Sequence, residues 1–81
     1  MGSRVPVRMP KLSLAISEAA LVEWLVEEGA VVREGQPLYV VETDKVETEV
    51  EAAASGVIHR GAEAGQIYPV GTELGSIEVE A

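Results

Sequence analysis

The segment VVETDKVETEVEA, residues 40–52, carries the side chain that stands out as a candidate for chemistry. Lys45 is one of only two lysines, the other being Lys11, and Glu42, Asp44, Glu47, Glu49 and Glu51 crowd around it. Most other means of doing chemistry are missing. The sequence has no cysteine, which excludes a thiol nucleophile, a disulfide and a thiolate metal site. His59 is the only histidine; it lies in a strand-like run, where a structural or solvent-facing role is expected. No nucleophile–base pair, phosphate loop or metal-binding cluster can be picked out. On its own, a lysine among acids is ordinary solvated surface. What Lys45 can do therefore depends on how the chain positions it.

The positioning elements follow from an internal repeat. Offset by 36 residues, Leu21 falls on Val57, Val22 on Ile58, Gly29 on Gly65, Val31 on Ile67, Gly35 on Gly71, Leu38 on Leu74, Val41 on Ile77 and Glu42 on Glu78. Apolar matches alone could arise by chance in so apolar a chain. Two glycines in register are harder to obtain that way. Each half reads as strand, glycine turn, short extended piece, glycine turn, strand, with glycine supplying the unusual backbone angles. The expected strands are Val5–Met9, Leu21–Val26, Leu38–Glu42, Val46–Glu51, Gly56–Arg60 and Glu73–Val79. A half of this size cannot bury its apolar face alone. Two halves packed together can, so an all-β flattened barrel or sandwich of two antiparallel sheets with a quasi-two-fold repeat is expected.

Two stretches also fit a helix. In SEAALVEWLVEEGAVV, Leu21, Trp24, Leu25 and Glu28 have near-helical spacing and Gly29 could be a C-cap. Its repeat partner GVIHRGAEAG contains three glycines and makes a poor helix, so both go to strand. KVETEVEAAA alternates Val and Thr with Glu, which suits a strand with one polar and one apolar face. Thr43, Asp44 and Lys45 then form a tight hairpin joining the halves. Asp44 is expected to cap backbone N–H groups there. Lys45 is expected at the hairpin tip, pointing into water.

Composition narrows the function classes. Eighty-one residues make one domain. Residues 1–4 are expected to be a disordered N-terminus or a vector remnant, and residues 5–81 the domain. The net charge of −8 argues against nucleic acid and anionic membranes and favours basic protein partners. Apolar runs such as Leu38–Val41 are too short to span a bilayer, and no targeting segment is visible. Only three residues are aromatic and none is Phe. The core is therefore expected to be Val, Leu, Ile and Ala, with Trp24 as its one large piece.

The sequence resembles the lipoyl domains of 2-oxoacid dehydrogenase complexes. The likeness is carried by Met9-Pro10-Lys11-Leu12, Val22 to Val26, Glu28-Gly29, Gly35-Gln36-Pro37-Leu38, Glu42-Thr43-Asp44-Lys45, Gly56 to Ile58 and Val70 to Thr72. It covers about Val7 to Val79. It implies lipoic acid joined to the Lys45 ε-amine by an amide. That group would act as a swinging arm, carrying acyl groups and electrons between active sites of a carrier that has none of its own. Implied partners are a lipoate ligase or lipoyl transferase, and the thiamine-dependent dehydrogenase, acyltransferase and dihydrolipoamide dehydrogenase components. A monomeric domain in a bacterial cytoplasm or mitochondrial matrix is expected. Glu42, Thr43, Asp44, Val46, Glu47 and Glu49, with Ser13 and Leu14 of the preceding loop, are the candidate recognition residues.

The sequence departs from the family pattern in three places. Ser13, Leu14, Ala15 and Ile16 replace a more polar loop that helps a dehydrogenase choose its carrier. Ala19 stands where a glycine is usual, and Ala53 replaces a common proline. Two alternatives remain. A biotinyl domain carries its lysine at the same hairpin, typically between methionines, whereas Asp44 and Val46 flank Lys45. An unmodified lipoyl-like structural module would have no need for Asp44-Lys45 at a tip.

Overall fold

The structure, a computed structural model, describes residues 2–79. Met1, Glu80 and Ala81, which fall within the expected terminus and domain, lie outside the described residues. Eight strands follow one another: β1 (Ser3–Arg8), β2 (Glu18–Trp24), β3 (Val31–Val32), β4 (Pro37–Glu42), β5 (Glu47–Glu51), β6 (Gly56–Arg60), β7 (Gln66–Pro69) and β8 (Glu73–Val79). All pairings are antiparallel, in two four-stranded sheets ordered β1-β8-β6-β3 and β5-β4-β2-β7. Both helix-compatible stretches are extended: β2 holds the first and β5 the second.

The repeat is present in three dimensions. Exchanging β1 with β5, β8 with β4, β6 with β2 and β3 with β7 turns one sheet order into the other. Gly29 and Gly65 have φ of +82° and +90°, and Gly35 and Gly71 have +88° and +92°. Side-chain-bearing residues reach that left-handed region only at a cost of about 1–2 kcal/mol. Gly29 N–H donates to the Ile58 carbonyl at 2.9 Å, and Gly65 N–H to the Leu21 carbonyl at 2.6 Å. By this reciprocal pair, Leu21 corresponds to Ile58 rather than to Val57. The one-residue slip has a local cause: the β2–β4 register shifts between Leu21 and Glu23. A bulge inserts one extra residue in just this way.

Several expected boundaries change. β1 starts at Ser3, pairing Ser3 with Val79 and Arg4 with Glu78, so the ladder includes two residues expected to lie outside the domain. Met9 leaves the strand and instead exchanges backbone hydrogen bonds with Gly71 and Thr72. β2 begins at Glu18 because its first half pairs with β7, and it ends at Trp24, short of the expected Val26. The short extended pieces between the glycines become β3 and β7.

The core lies between the sheets. Leu21, Val32, Val41, Ile58, Leu74 and Ile77 are fully buried, with Leu38 and Met9 nearly so. Its largest fully buried side chain is Tyr39, not Trp24. Trp24 packs against this cluster from a partly buried position, 5.2 Å between ring centroids from Tyr39, and its indole N–H donates to the Ala62 carbonyl at 3.0 Å. The Arg60 guanidinium lies over the indole at 5.8 Å.

His59, on β6, lies between two carboxylates. Its Nδ1 is 3.1 Å from Glu28 Oε2, on the β2–β3 connection, and its Nε2 is 2.9 Å from Glu78 Oε1, on β8. Only the imidazolium can donate from both nitrogens. The Glu78 and then the Glu28 hydrogen bonds hold the imidazole above its ordinary 6.5, against the opposing charge of Arg4 on β1. Glu28 is lowered, first by the Arg60 backbone N–H and also by His59. The raised His59 contributes stability fully below its unfolded pKa and loses it as pH rises through the folded one. Glu28 contributes above its ordinary 4.5 and loses that contribution as pH falls through its folded pKa. Urea midpoints should therefore fall as pH rises above the ordinary imidazole value of 6.5, and His59→Gln should flatten this slope. An unchanged slope in the variant would leave the cluster without a part in stability.

Candidate functional site

β4 and β5 pair from Pro37–Glu51 to Glu42–Glu47, leaving Thr43 to Val46 as the connection. Thr43 N–H donates to the Val46 carbonyl at 2.8 Å and closes it. Val46, expected in the strand, thus belongs to the connection. The side-chain cap comes from Thr43 rather than Asp44: Thr43 Oγ1 accepts from Lys45 N–H at 3.4 Å and Val46 N–H at 3.2 Å. A threonine hydroxyl is placed to reach the amides two and three residues on, the usual geometry of such turns. Asp44, Lys45 and Val46 are exposed. Among the described residues the Lys45 ammonium has no ion-pair or hydrogen-bond partner; the ion pairs lie elsewhere, at Arg4–Glu78 and around His59.

The acidic residues divide by position. In β5, Glu47, Glu49 and Glu51 face solvent while Thr48 and Val50 turn partly inward, as the alternation requires. Glu42 and Glu47 lie directly opposite each other across the ladder. Like charges so placed are destabilising, and they flank the connection that carries Lys45.

The loop from Pro10 to Ser17 comes to rest beside this connection. Lys11 donates from Nζ to the Ile16 carbonyl at 3.2 Å. Within the loop Ile16 N–H donates to the Ser13 carbonyl at 3.4 Å and Ala15 N–H to Ser13 Oγ at 3.3 Å. Leu14 stands away from the surface, 94% exposed. One groove, of about 340 Å³, runs between the loop and Thr43–Val46 and includes Ser13 and Lys45 in its lining. A second hollow, of about 410 Å³, lies against Ala19, Ala20 and Ile67 with Glu18, Glu42 and Asp44 on its rim. The structure thus gathers Glu42, Thr43, Asp44, Val46, Glu47 and Ser13 about Lys45, with Glu49 further along β5. Sequence reasoning missed Ile67 and the bracing role of Lys11. Ile67 had a signal only as the repeat partner of Val31; Lys11 had none, because its acceptor is a backbone carbonyl.

Those residues suit an amide-linked group on Lys45: among the described residues the exposed amine has no ion-pair or hydrogen-bond partner, and its backbone is fixed by Thr43. Among the described residues, no group of three His, Asp or Glu side chains is placed to hold a metal ion.

The structure is thus a two-sheet sandwich with an internal two-fold and a lysine in the connection between its halves. The chain belongs to the biotinyl/lipoyl attachment family, whose model, described as "Biotin-requiring enzyme", matches residues 5–77. It is 42% identical over 72 residues to the dihydrolipoyllysine-residue acetyltransferase component of the acetoin cleaving system of Cupriavidus necator, covering 88% of this chain and 19% of that protein. It is 40% identical over 81 residues to the lipoamide acyltransferase component of the branched-chain alpha-keto acid dehydrogenase complex of Pseudomonas putida, covering 99% and 19%. A third relative is the dihydrolipoyllysine-residue acetyltransferase component of the pyruvate dehydrogenase complex of Mycobacterium bovis, 38% identical over 81 residues, covering 99% and 15%. The chain spans less than a fifth of the length of these relatives.

Proposed function

We propose that this chain is a lipoyl carrier domain with Lys45 as its attachment site, serving a 2-oxoacid dehydrogenase-type complex. The observation that carries the reading is the placement of Lys45. Its amine is exposed and, among the described residues, without a partner, in a connection whose backbone Thr43 holds at two amides. A lipoyl amide there would supply a dithiolane able to take up an acyl group with two electrons and pass both on. The chain's own contribution is to present that group, tethered, to partners that do the catalysis. Relatives named for acyltransferase components support lipoate over biotin, as do Asp44 and Val46 beside the lysine. The partners would be a lipoate-attaching enzyme and the dehydrogenase, acyltransferase and dihydrolipoamide dehydrogenase components.

Intact mass after incubation with lipoate ligase should show one added lipoyl group, and Lys45→Arg should show none. Addition to the variant would move the site to Lys11. Biotin added by a biotin ligase, with no lipoate added by its own, would favour the biotinyl alternative.

Recognition is proposed to use the acidic face. Glu47→Gln with Glu49→Gln should slow lipoylation at low salt and matter less at high salt, since exposed charges more than about 10 Å apart are largely screened near 0.1 M. Removing the Glu42–Glu47 repulsion should also leave the folded domain slightly more stable. Equal rates at both salt concentrations would reduce these acids to a solubility feature.

A further inference from the structure

The groove beside Lys45 has a composition of its own. At about 340 Å³ it falls in the range of small-molecule clefts, roughly 300–1,000 Å³. Leu12, Ala15 and Ile16 line it from the loop and Val46 from the connection, and Lys45 is part of its wall. Its loop wall is tied in place. Ile16 is held at its carbonyl by Lys11 and at its N–H by the Ser13 carbonyl. Asp44 is the only carboxylate in the lining, with Glu42 and Glu47 at the adjoining strand ends, so an anion is disfavoured there. A neutral aliphatic chain is not. Ser13 and Thr43 complete the lining. A groove with this apolar side, and with the attachment amine in its wall, has one such chain permanently within reach, the one carried by that amine.

We infer that this groove binds the aliphatic arm carried by Lys45, so that the domain holds the arm in a docked state in equilibrium with a free one. The inference rests on the proposed role of Lys45. Tethering makes weak affinity sufficient: a short flexible link gives an effective concentration on the order of mM, so an intrinsic affinity of that size docks about half of the arms. Ile16 is the central contact, since it lines the groove from the braced loop. Leu14 is not part of the lining despite being the most exposed large apolar side chain nearby.

The test compares the unmodified domain with octanoylated and lipoylated forms whose complete modification is first established by intact mass. Methyl-resolved NMR should show nuclear Overhauser contacts from the arm methylenes to Ile16 and Ala15. Ile16→Ser should abolish the contacts and Leu14→Ser should keep them, with the remaining amide spectrum reporting that each variant is folded. After reduction of the lipoyl form, alkylation of the dithiol by iodoacetamide should be about twofold faster in Ile16→Ser and unchanged in Leu14→Ser. A fully modified parent domain without contacts to Ile16 or Ala15 overturns the docking and leaves the carrier role standing. So do equal alkylation rates in all three proteins. Absence of any mass gain on Lys45 overturns the carrier role and the docking with it.

Discussion

Exchanging Asp44 and Lys45 is expected to leave the domain folded while lowering its lipoylation rate on the order of 100-fold. The double variant keeps composition and net charge, and both side chains are exposed, so little stability is at stake. What changes is where the amine points. Lys45 N–H is held by Thr43 Oγ1, whereas among the described residues no such bond holds Asp44 N–H. The two positions also face different surroundings: Asp44 borders both hollows beside the connection, and Lys45 only the one next to the loop. A reacting group displaced by about 1 Å can lose on the order of 100-fold in rate. Moving the amine by one residue displaces it further than that.

The exchange also alters the residues flanking the amine, so two single variants separate position from local sequence. Asp44→Met and Val46→Met leave Lys45 in place and should remain at least partly lipoylated. Thr43→Val removes the hydroxyl that holds the Lys45 and Val46 amides and should slow modification without stopping it. Lipoylation rates followed by intact mass decide the matter. A swapped protein modified as fast as the parent would mean that the attaching enzyme reads only an exposed lysine, and the geometric argument would fail.

The residues that the sequence placed well share a physical property. Gly29, Gly35, Gly65 and Gly71 sit where φ is positive, a demand that glycine meets most readily. They revealed the repeat, and the repeat then outweighed helical spacing around Trp24. β6 and β8, adjacent and paired along four residues in the interior of one sheet, have the bounds expected of them. The edges were harder. β3 and β7 are two and four residues long, too short for any alternation to register. β1 and β5 correspond by symmetry but lie outside the 36-residue offset, so the start of β1 had no internal partner to betray it. The bulge in β2 shifted the core equivalence by one residue, which apolar matching cannot detect when Val57 and Ile58 are both apolar. Around Lys45 the acids and the exposed amine were legible as residue types. Thr43 in place of Asp44 as the cap, and Lys11 as a brace, were not, because both act on backbone groups whose position depends on the folded loop.

Tyr39→Ala is expected to be the most damaging single change in the core, at about 3–5 kcal/mol, the cost of removing a large buried aromatic ring. Tyr39 is fully buried, and burial pushes its phenol up to about 12. Its place in the fold explains why. β4 is buried from Leu38 to Val41, Tyr39 is part of the buried cluster between the sheets, and the Trp24 ring lies against it at 5.2 Å between centroids. The hydroxyl is also committed, donating to the Arg8 carbonyl at 3.1 Å and so tying β4 to the end of β1 in the other sheet. Trp24→Ala should cost less, about 2–3 kcal/mol, because the ring is only partly buried and part of its area stays in water. A domain of this length has roughly 4–12 kcal/mol in total at typical stability per residue, so Tyr39→Ala could abolish folding outright. Tyr39→Phe keeps the ring and removes only the donor, at about 1–3 kcal/mol if the Arg8 carbonyl is left unpaired. Lys45→Ala, at an exposed site, should stay within about 0.5 kcal/mol. Urea unfolding of the four variants should therefore rank Tyr39→Ala, Trp24→Ala, Tyr39→Phe and Lys45→Ala in descending cost, with the middle two close together. A Trp24→Ala loss exceeding that of Tyr39→Ala would return the tryptophan to the centre of the core. A Lys45→Ala loss comparable to either would mean that the connection bearing the lysine contributes to stability, in conflict with an amine kept free for attachment.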